Sequence, residues 1–161
     1  MSHRVHQLVR ALELTPHPEG GWYREVFRAA ASVDPLDGRP RRSALTGIYF
    51  LLASGQHSRW HRVDSDEVWC WIEGGPVRIW RFDPERGGLD SVLAGPLGEG
   101  AEPIRTVEAG VWQAAEPVGE YAFGGCFVGP GFDFADFRML DSDPETRRRL
   151  AEISQAHLRL A

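Results

Sequence analysis

The sequence predicts an all-β sandwich or barrel framed by one short helix at each end. Three observations carry that reading. Short runs rich in Val, Ile, Phe, Tyr and Trp follow one another closely, Gly, Pro, Asp or Ser separates most of them, and helical periodicity is confined to the two ends. At the start, Val5, Leu8, Val9 and Leu12 recur at i, i+3, i+4 and i+7, which predicts an amphipathic helix over 3–13. Two prolines and two glycines in the segment 15–21, TPHPEGG, exclude regular structure after it. Strands are then predicted at 22–29, 44–52, 56–63, 67–73, 77–82, 89–94, 103–107, 111–115, 120–128 and 134–140. Gly74-Gly75-Pro76 and the segment 83–88, DPERGG, supply turn chemistry between such runs. Near the end, Asp143-Pro144-Glu145 offers an N-cap, a proline at the first helical position and an acid in the first turn. The helix this predicts runs from about 144 to 159, with Leu150 and Ile153 on its apolar face. No repeat or linker interrupts the pattern, so residues 1–161 are expected to form one domain, with the barrel over about 22–140.

Composition narrows the function classes. A chain of 161 residues that is 42% hydrophobic, with 6 Trp, 8 Phe and 3 Tyr, has ample material for a core; chains this long bury roughly 70% of their unfolded surface. The net charge is −5 and the arginines lie dispersed among acids, apart from local pairs and the run Arg147–Arg149. That leaves no basic patch to track phosphates and argues against nucleic acid as a partner. Cys70 and Cys126 show no CxxC spacing, residues 1–14 lack the apolar stretch of a secretory signal, and GIYFLLA at 47–53 is too short to cross a bilayer. The expectation is a reduced, cytoplasmic protein without a membrane partner.

The candidate site lies in WHRVDSDEVWCWIEGG, residues 60–75, which places His61 and Glu67 on two short aromatic-rich strands joined by Asp64-Ser65-Asp66. An imidazole and a carboxyl group held on rigid strands suit proton transfer or metal binding. Strict alternation puts Glu67, Trp69, Trp71 and Glu73 on one face, so Trp69 and Trp71 would line a cavity beneath the pair. A carboxyl group beside indoles loses hydration, which favours its neutral form and raises its pKa. The spacing fits equally well a plain packing role for Trp69 and Trp71 and a solvated Glu67.

The segment resembles the first motif of the cupin superfamily, G-x5-H-x-H-x3-4-E-x6-G. Gly55, His61, Glu67 and Gly74 fall at matching positions, while Val63 stands at the second histidine. The stretch 107–115, VEAGVWQAA, resembles the second motif, P-x-G-x2-H-x3-N; Gly110 matches, Glu108 replaces the proline, Gln113 the histidine and Pro117 the asparagine. More narrowly, HPEGGWYREVFR (17–28), SALTGIYFLL (43–52), WHRVDSDEVW (60–69), GVWQAA (110–115) and VGPGFDFADF (128–137) resemble a cupin subfamily catalogued as a domain of unknown function and labelled "predicted sugar epimerase". The resemblance implies a jelly-roll barrel and a homodimer.

A metal-binding cupin supplies three imidazoles and a carboxylate, and only His61 and Glu67 remain at matching positions here. His57 shares a face with His61, but four strand residues separate them by about 13 Å, too far to converge on one ion. If any metal binds, its ligands would be His61, Glu67 and Gln113, and an amide oxygen is a poor ligand for a borderline ion. The expected cofactor content is therefore none. What remains resembles the metal-free sugar-nucleotide epimerases of the superfamily: His61 would take a proton from a carbon beside a carbonyl, Glu67 would orient it or return a proton, and Gln113 would donate to the developing enolate. Tyr23 and Arg24, following the loop, could meet an anionic group on the ligand, or serve as strand packing and a surface ion pair. A non-catalytic small-molecule binder and a metal-dependent cupin with a reduced ligand set stay open as alternatives.

Overall fold

In a computed structural model, described over residues 2–161, fourteen strands and two helices build a two-layered β-structure. Helix α1 spans His3–Ala11. The strands are β1 Thr15–Pro16, β2 Trp22–Arg28, β3 Ser32–Val33, β4 Arg42–Ser43, β5 Thr46–Ala53, β6 Ser58–Val63 and β7 Asp66–Gly74. They continue as β8 Val77–Asp83, β9 Gly88–Ala94, β10 Ala101–Glu102, β11 Ile104–Val107, β12 Trp112–Pro117, β13 Tyr121–Gly129 and β14 Phe137–Met139, before helix α2, Pro144–Ile153. One six-stranded sheet has the order β1-β2-β5-β13-β7-β11 and the other β10-β9-β8-β12-β6-β14, while β3 and β4 pair by themselves. From β5 to β8 and again from β10 to β14 the chain alternates between the sheets, the jelly-roll connectivity the motifs imply.

The strand faces explain why some runs are apolar on both sides. On β5, Phe50 and Leu52 point between the sheets with Trp69 and Ile79, whereas Leu51 and Ala53 point outward under Val5 and Leu8 of α1. On the second sheet, Trp60, Phe82, Trp112 and Ala114 point outward under Leu150 of α2 and the C-terminal Leu160. Each helix thus caps the outer face of one sheet. Burying a large apolar side chain contributes about 1.5–3 kcal/mol, so the helices stabilise both faces at the far side from the site.

Several elements differ from the sequence pattern. The first helix stops at Ala11, and Glu13 takes φ 51°, a left-handed turn that starts the loop. The last helix ends at Ile153; Ser154 is extended at φ −158°, and a 3-10 turn, Gln155–Leu160, returns Leu160 to the core. The expected strand 134–140 is mostly turn: Asp133 caps a 3-10 turn over Phe134–Asp136 by accepting from the Ala135 N–H at 2.8 Å, leaving only Phe137–Met139 paired with β6. Among the described residues, no helix is long and apolar enough to cross a membrane.

Candidate functional site

Between the sheets, at the end closed by the 129–139 segment, lies a cavity of about 360 Å³ lined by His17, Glu19, Tyr23, His61, Glu67 and Cys126, with Phe50 and Phe137 among its apolar walls. Two irregularities aim its polar groups. Gln113 pairs with His61 and Ala115 with Ser58, so three residue steps on β6 face two on β12. The extra residue, a β-bulge, lets Ser58 and His61 both face inward, which strict alternation forbids. The second device is the loop 17–21. Gly20 sits at φ 117° with the position of a Cβ only 2.2 Å from the His57 carbonyl oxygen, and Gly21 at φ 71° lies similarly close to Leu51, at 2.7 Å from its carbonyl oxygen. Only glycine fits such a path. The loop is tied down where Arg59 N–H donates to the Glu19 carbonyl at 2.8 Å and the Arg59 guanidinium to Pro18 O at 2.8 Å. It carries His17 and Glu19 into the cavity.

His61 is fully enclosed. Its Nδ1 lies 2.7 Å from the Arg59 carbonyl oxygen, which can only accept, so Nδ1 carries the hydrogen and Nε2 presents a lone pair. That lone pair faces Glu19 Oε2 at 3.3 Å, and His17 Nδ1 faces the same oxygen at 3.5 Å. Glu19 Oε1 accepts from Ser58 Oγ at 2.9 Å. Burial pushes the Glu19 carboxyl up to about 8, against the smaller opposing effects of Ser58 and Arg59. Burial also pulls His17 down to about 4, with His61 adding to the effect, and lowers His61 despite Glu67 and the Arg59 carbonyl. Near neutral pH the trio is a protonated carboxylic acid between two neutral imidazoles, an uncharged cluster rather than a set of ion pairs.

Glu67 stands on the other side. Burial raises its pKa, and Glu19 adds to that, while His61, Gln113 and the Cys126 thiol oppose it. Gln113 Nε2 donates to Glu67 Oε2 at 2.6 Å, and Gln113 Oε1 accepts from the Trp69 indole N–H at 3.1 Å. Since an indole N–H can only donate, the amide orientation is fixed. Gln113 therefore spends both ends of its amide inside the protein and does not line the cavity; it holds Glu67 in place instead of donating to a bound molecule.

The remaining expected site residues divide. Tyr23 lines the cavity, with His17 edge-on to its ring at 4.4 Å between centroids. Arg24, next along the strand, points the opposite way, over the Tyr49 ring and towards Glu13. Trp69 and Trp71 do not wall the cavity. Trp69 lies behind Phe50 in the core, edge-on at 5.7 Å, and both indoles border a separate void of only about 10 Å³. Trp71 lies four residues beyond Glu67 along β7, about 13 Å away; pairing stays regular up to Trp71, and the bulge at Ile72, where Phe123 pairs with Glu73 but Gly124 with Trp71, breaks the alternation only beyond it, at Glu73. His57 borders a different, open hollow behind the glycine loop. Trp112 is fully buried under the C-terminal segment. His17 and Glu19, absent from the expected set, carried one signal: a histidine and an acid in front of Gly20-Gly21, in a segment that can turn sharply.

Comparisons with known proteins agree with this architecture. The family profile described as "Cupin superfamily (DUF985)" matches residues 6–140, and the chain belongs to that family. A hypothetical protein from Leishmania major is 32% identical, over 96% of this chain and 94% of that one, with a TM-score of 0.81. A Shewanella oneidensis protein of known crystal structure is 31% identical, over 96% and 95% of the two chains, with a TM-score of 0.82. The oxalate decarboxylase of Lactobacillus farciminis, in a formate complex, is 21% identical over 92% of this chain and 40% of its own length, with a TM-score of 0.54; that likeness is one of fold. No curated protein matches the sequence.

Proposed function

We propose that the cavity binds a small polar metabolite and moves a proton at a carbon beside its carbonyl group, the reaction of an epimerase or isomerase of a sugar or keto acid. The observation that carries this reading is a pair of buried carboxyl groups, Glu19 and Glu67, both pushed towards their protonated forms and both bordering one cavity. Enzymes that exchange carbon-bound protons need an acid and a base poised near the working pH. Glu67, made more basic by burial, takes the proton from carbon; the electron pair moves to the carbonyl oxygen, which receives the proton held between Glu19 and His61. The enediol so formed collapses by the reverse transfers, with the proton returned to carbon. Gln113 fixes Glu67 and the Arg59 carbonyl fixes the tautomer of His61.

The reaction proposed is metal-independent. Val63 offers a hydrocarbon wall where a second imidazole would stand, the Gln113 amide is committed to Glu67 and Trp69, and the His61 lone pair faces Glu19. Among the described residues, no three His, Cys, Asp or Glu side chains are grouped to hold an ion. Elemental analysis of protein purified without an affinity tag should find far less than one equivalent of iron, manganese, nickel or zinc; a full equivalent would overturn this part of the proposal.

Proton NMR in deuterated solvent tests the chemistry. Wild-type protein should remove the signal of a hydrogen beside the carbonyl in at least one member of a sugar and keto-acid panel, and Glu67→Gln should abolish the exchange. A compound that raises the melting temperature yet never exchanges would favour the second reading, a binding protein, for which the aromatic walls Tyr23, Phe50 and Phe137 are the supporting observation. The homodimer implied by the family resemblance is proposed on the same footing; light scattering tests it.

A further inference from the structure

Free positive charge is missing around the cavity. Among the described residues, four acidic side chains border it, Glu19, Glu25, Glu67 and Asp133, against one arginine, Arg28. That arginine is already committed. Its Nε donates to Glu25 Oε1 at 3.0 Å, one terminal nitrogen to Glu25 Oε2 at 2.7 Å, and the other to the Phe132 carbonyl oxygen at 3.3 Å. The two imidazoles, His17 and His61, are neutral at physiological pH, so neither supplies a positive charge. A carboxylate or phosphate entering this space would give up its hydration shell, meet no uncommitted cation among the residues that line it, and approach the carboxylate that the proposed reaction requires of Glu67. An uncharged polyol suffers none of these penalties. It can donate hydroxyl hydrogens to Glu67 and Tyr23 and lay its C–H faces on the rings of Tyr23, Phe50 and Phe137. Size points the same way: about 360 Å³ lies near the small end of ligand pockets, which span roughly 300–1,000 Å³, and a nucleotide-linked sugar would overfill it.

We infer that the cavity takes a single uncharged hydroxy-carbonyl compound, a free sugar in chemical class, and rejects its phosphorylated, carboxylated and nucleotide-linked forms, with the Glu25–Arg28 pair at the mouth acting as the charge filter. This rests on the proton-transfer reading for the identity of the carbonyl but not for the selection against charge. Matched pairs test it by calorimetry on the full chain: fructose against fructose 6-phosphate, glucose against glucose 6-phosphate and glucuronate, and the same comparison for arabinose and xylose with their 5-phosphates. At least one neutral member should bind, and its anionic partner should bind at least tenfold more weakly. Glu25→Gln removes the partner of Arg28, so in that variant the anionic compound should gain about tenfold relative to the neutral one. Circular dichroism of the variant checks that it folds. If it does not, Arg28→Gln replaces it: Glu25 is then left without its cation, so the anionic compound should weaken further relative to the neutral one, and a gain for the anionic compound would count against the filter. Equal or tighter binding of an anionic partner by wild-type protein, or no binding of any neutral member at millimolar concentration, overturns the inference. The two readings fail separately. A neutral sugar that binds without exchanging deuterium defeats the proton-transfer reading and leaves the charge selection standing, whereas a phosphorylated sugar that binds and exchanges does the reverse.

Discussion

At the residue scale the site depends on two carboxyl groups held by different partners. Gln113 is the support for Glu67, and Gln113→Leu would leave both the Glu67 oxygen and the Trp69 N–H buried without a partner. An unsatisfied buried polar group costs about 1–3 kcal/mol; the substitution should lower stability by that order in urea titration. It should also raise the Glu67 pKa further, since Gln113 is among the groups that oppose the rise. Carbon-bound proton exchange, if found, should decline above pH about 8, where Glu19 loses the proton it donates. Glu19→Gln should flatten that limb of the profile along with the rate. His61 and Glu67 were legible in the sequence because both sit on short strands beside one turn, where spacing translates directly into position. Glu19 was not: its place depends on Ser58, Arg59 and His61, about 40 residues away, whose contact no local pattern encodes. Gln113 was found but given the wrong task, because its position was readable and the bonds of its amide were not.

At the element scale, bulges and one glycine loop decide which side chains reach the cavity. The Gly20-Gly21 pair lets the chain fold back sharply enough to bring Glu19 onto Ser58. Gly20→Ala forces a Cβ against the His57 carbonyl at an unfavourable φ; the loop must shift, with a loss of about 1–3 kcal/mol and of any activity that needs Glu19. Gly55→Ala is the control. Gly55 has φ 80°, but a methyl group added there would have nothing within 4 Å, so only backbone strain of about 1 kcal/mol opposes it, and ligand binding should survive. Thermal melts of the two variants side by side make the comparison. Strand positions followed from alternation wherever pairing is regular. They failed at Glu73, where Ile72 interrupts the period, because a bulge leaves no trace in composition; Trp71 keeps the alternation but lies too far along β7 to reach the cavity.

On the scale of the whole molecule, two buried groups set opposite responses to pH. Glu19, with its pKa raised from 4.5 to about 8, stays protonated in the fold while the unfolded chain ionises, so its contribution is full below 4.5 and is lost as pH rises to 8. His17, lowered from 6.5 to about 4, contributes fully above 6.5 and loses that contribution as pH falls to 4. The two slopes cancel between about 4.5 and 6.5. From these two groups stability should therefore be flat across that window and decline on both sides, by about 1.4 kcal/mol per pH unit just above it; denaturant midpoints at half-unit intervals would reveal the plateau, and Glu19→Gln should tilt it, so that stability rises with pH to about 6.5 and levels off above. A second long-range device is Asp136, buried and bound by Arg42 through two contacts of 2.8 Å and by Arg39 through another. It ties the β3–β4 ribbon to the turn that carries Phe134 and Phe137. Asp136→Asn removes the charge that both arginines bind, and should lower the melting temperature and loosen the cavity wall. The jelly-roll layering was legible from strand spacing and motif; this clamp was not, since it joins residues 94 and 97 positions apart.

The chain of hydrogen bonds from the Trp69 indole through the Gln113 amide to Glu67 also equips the protein with its own meter. When Glu67 gains or loses a proton, the polarity felt by the amide changes, and the indole hydrogen feels it in turn. The nitrogen-15 resonance of that one tryptophan ring should trace the ionisation of a carboxyl group it never touches, and should move again when an occupant displaces the balance, with no label added to the occupant.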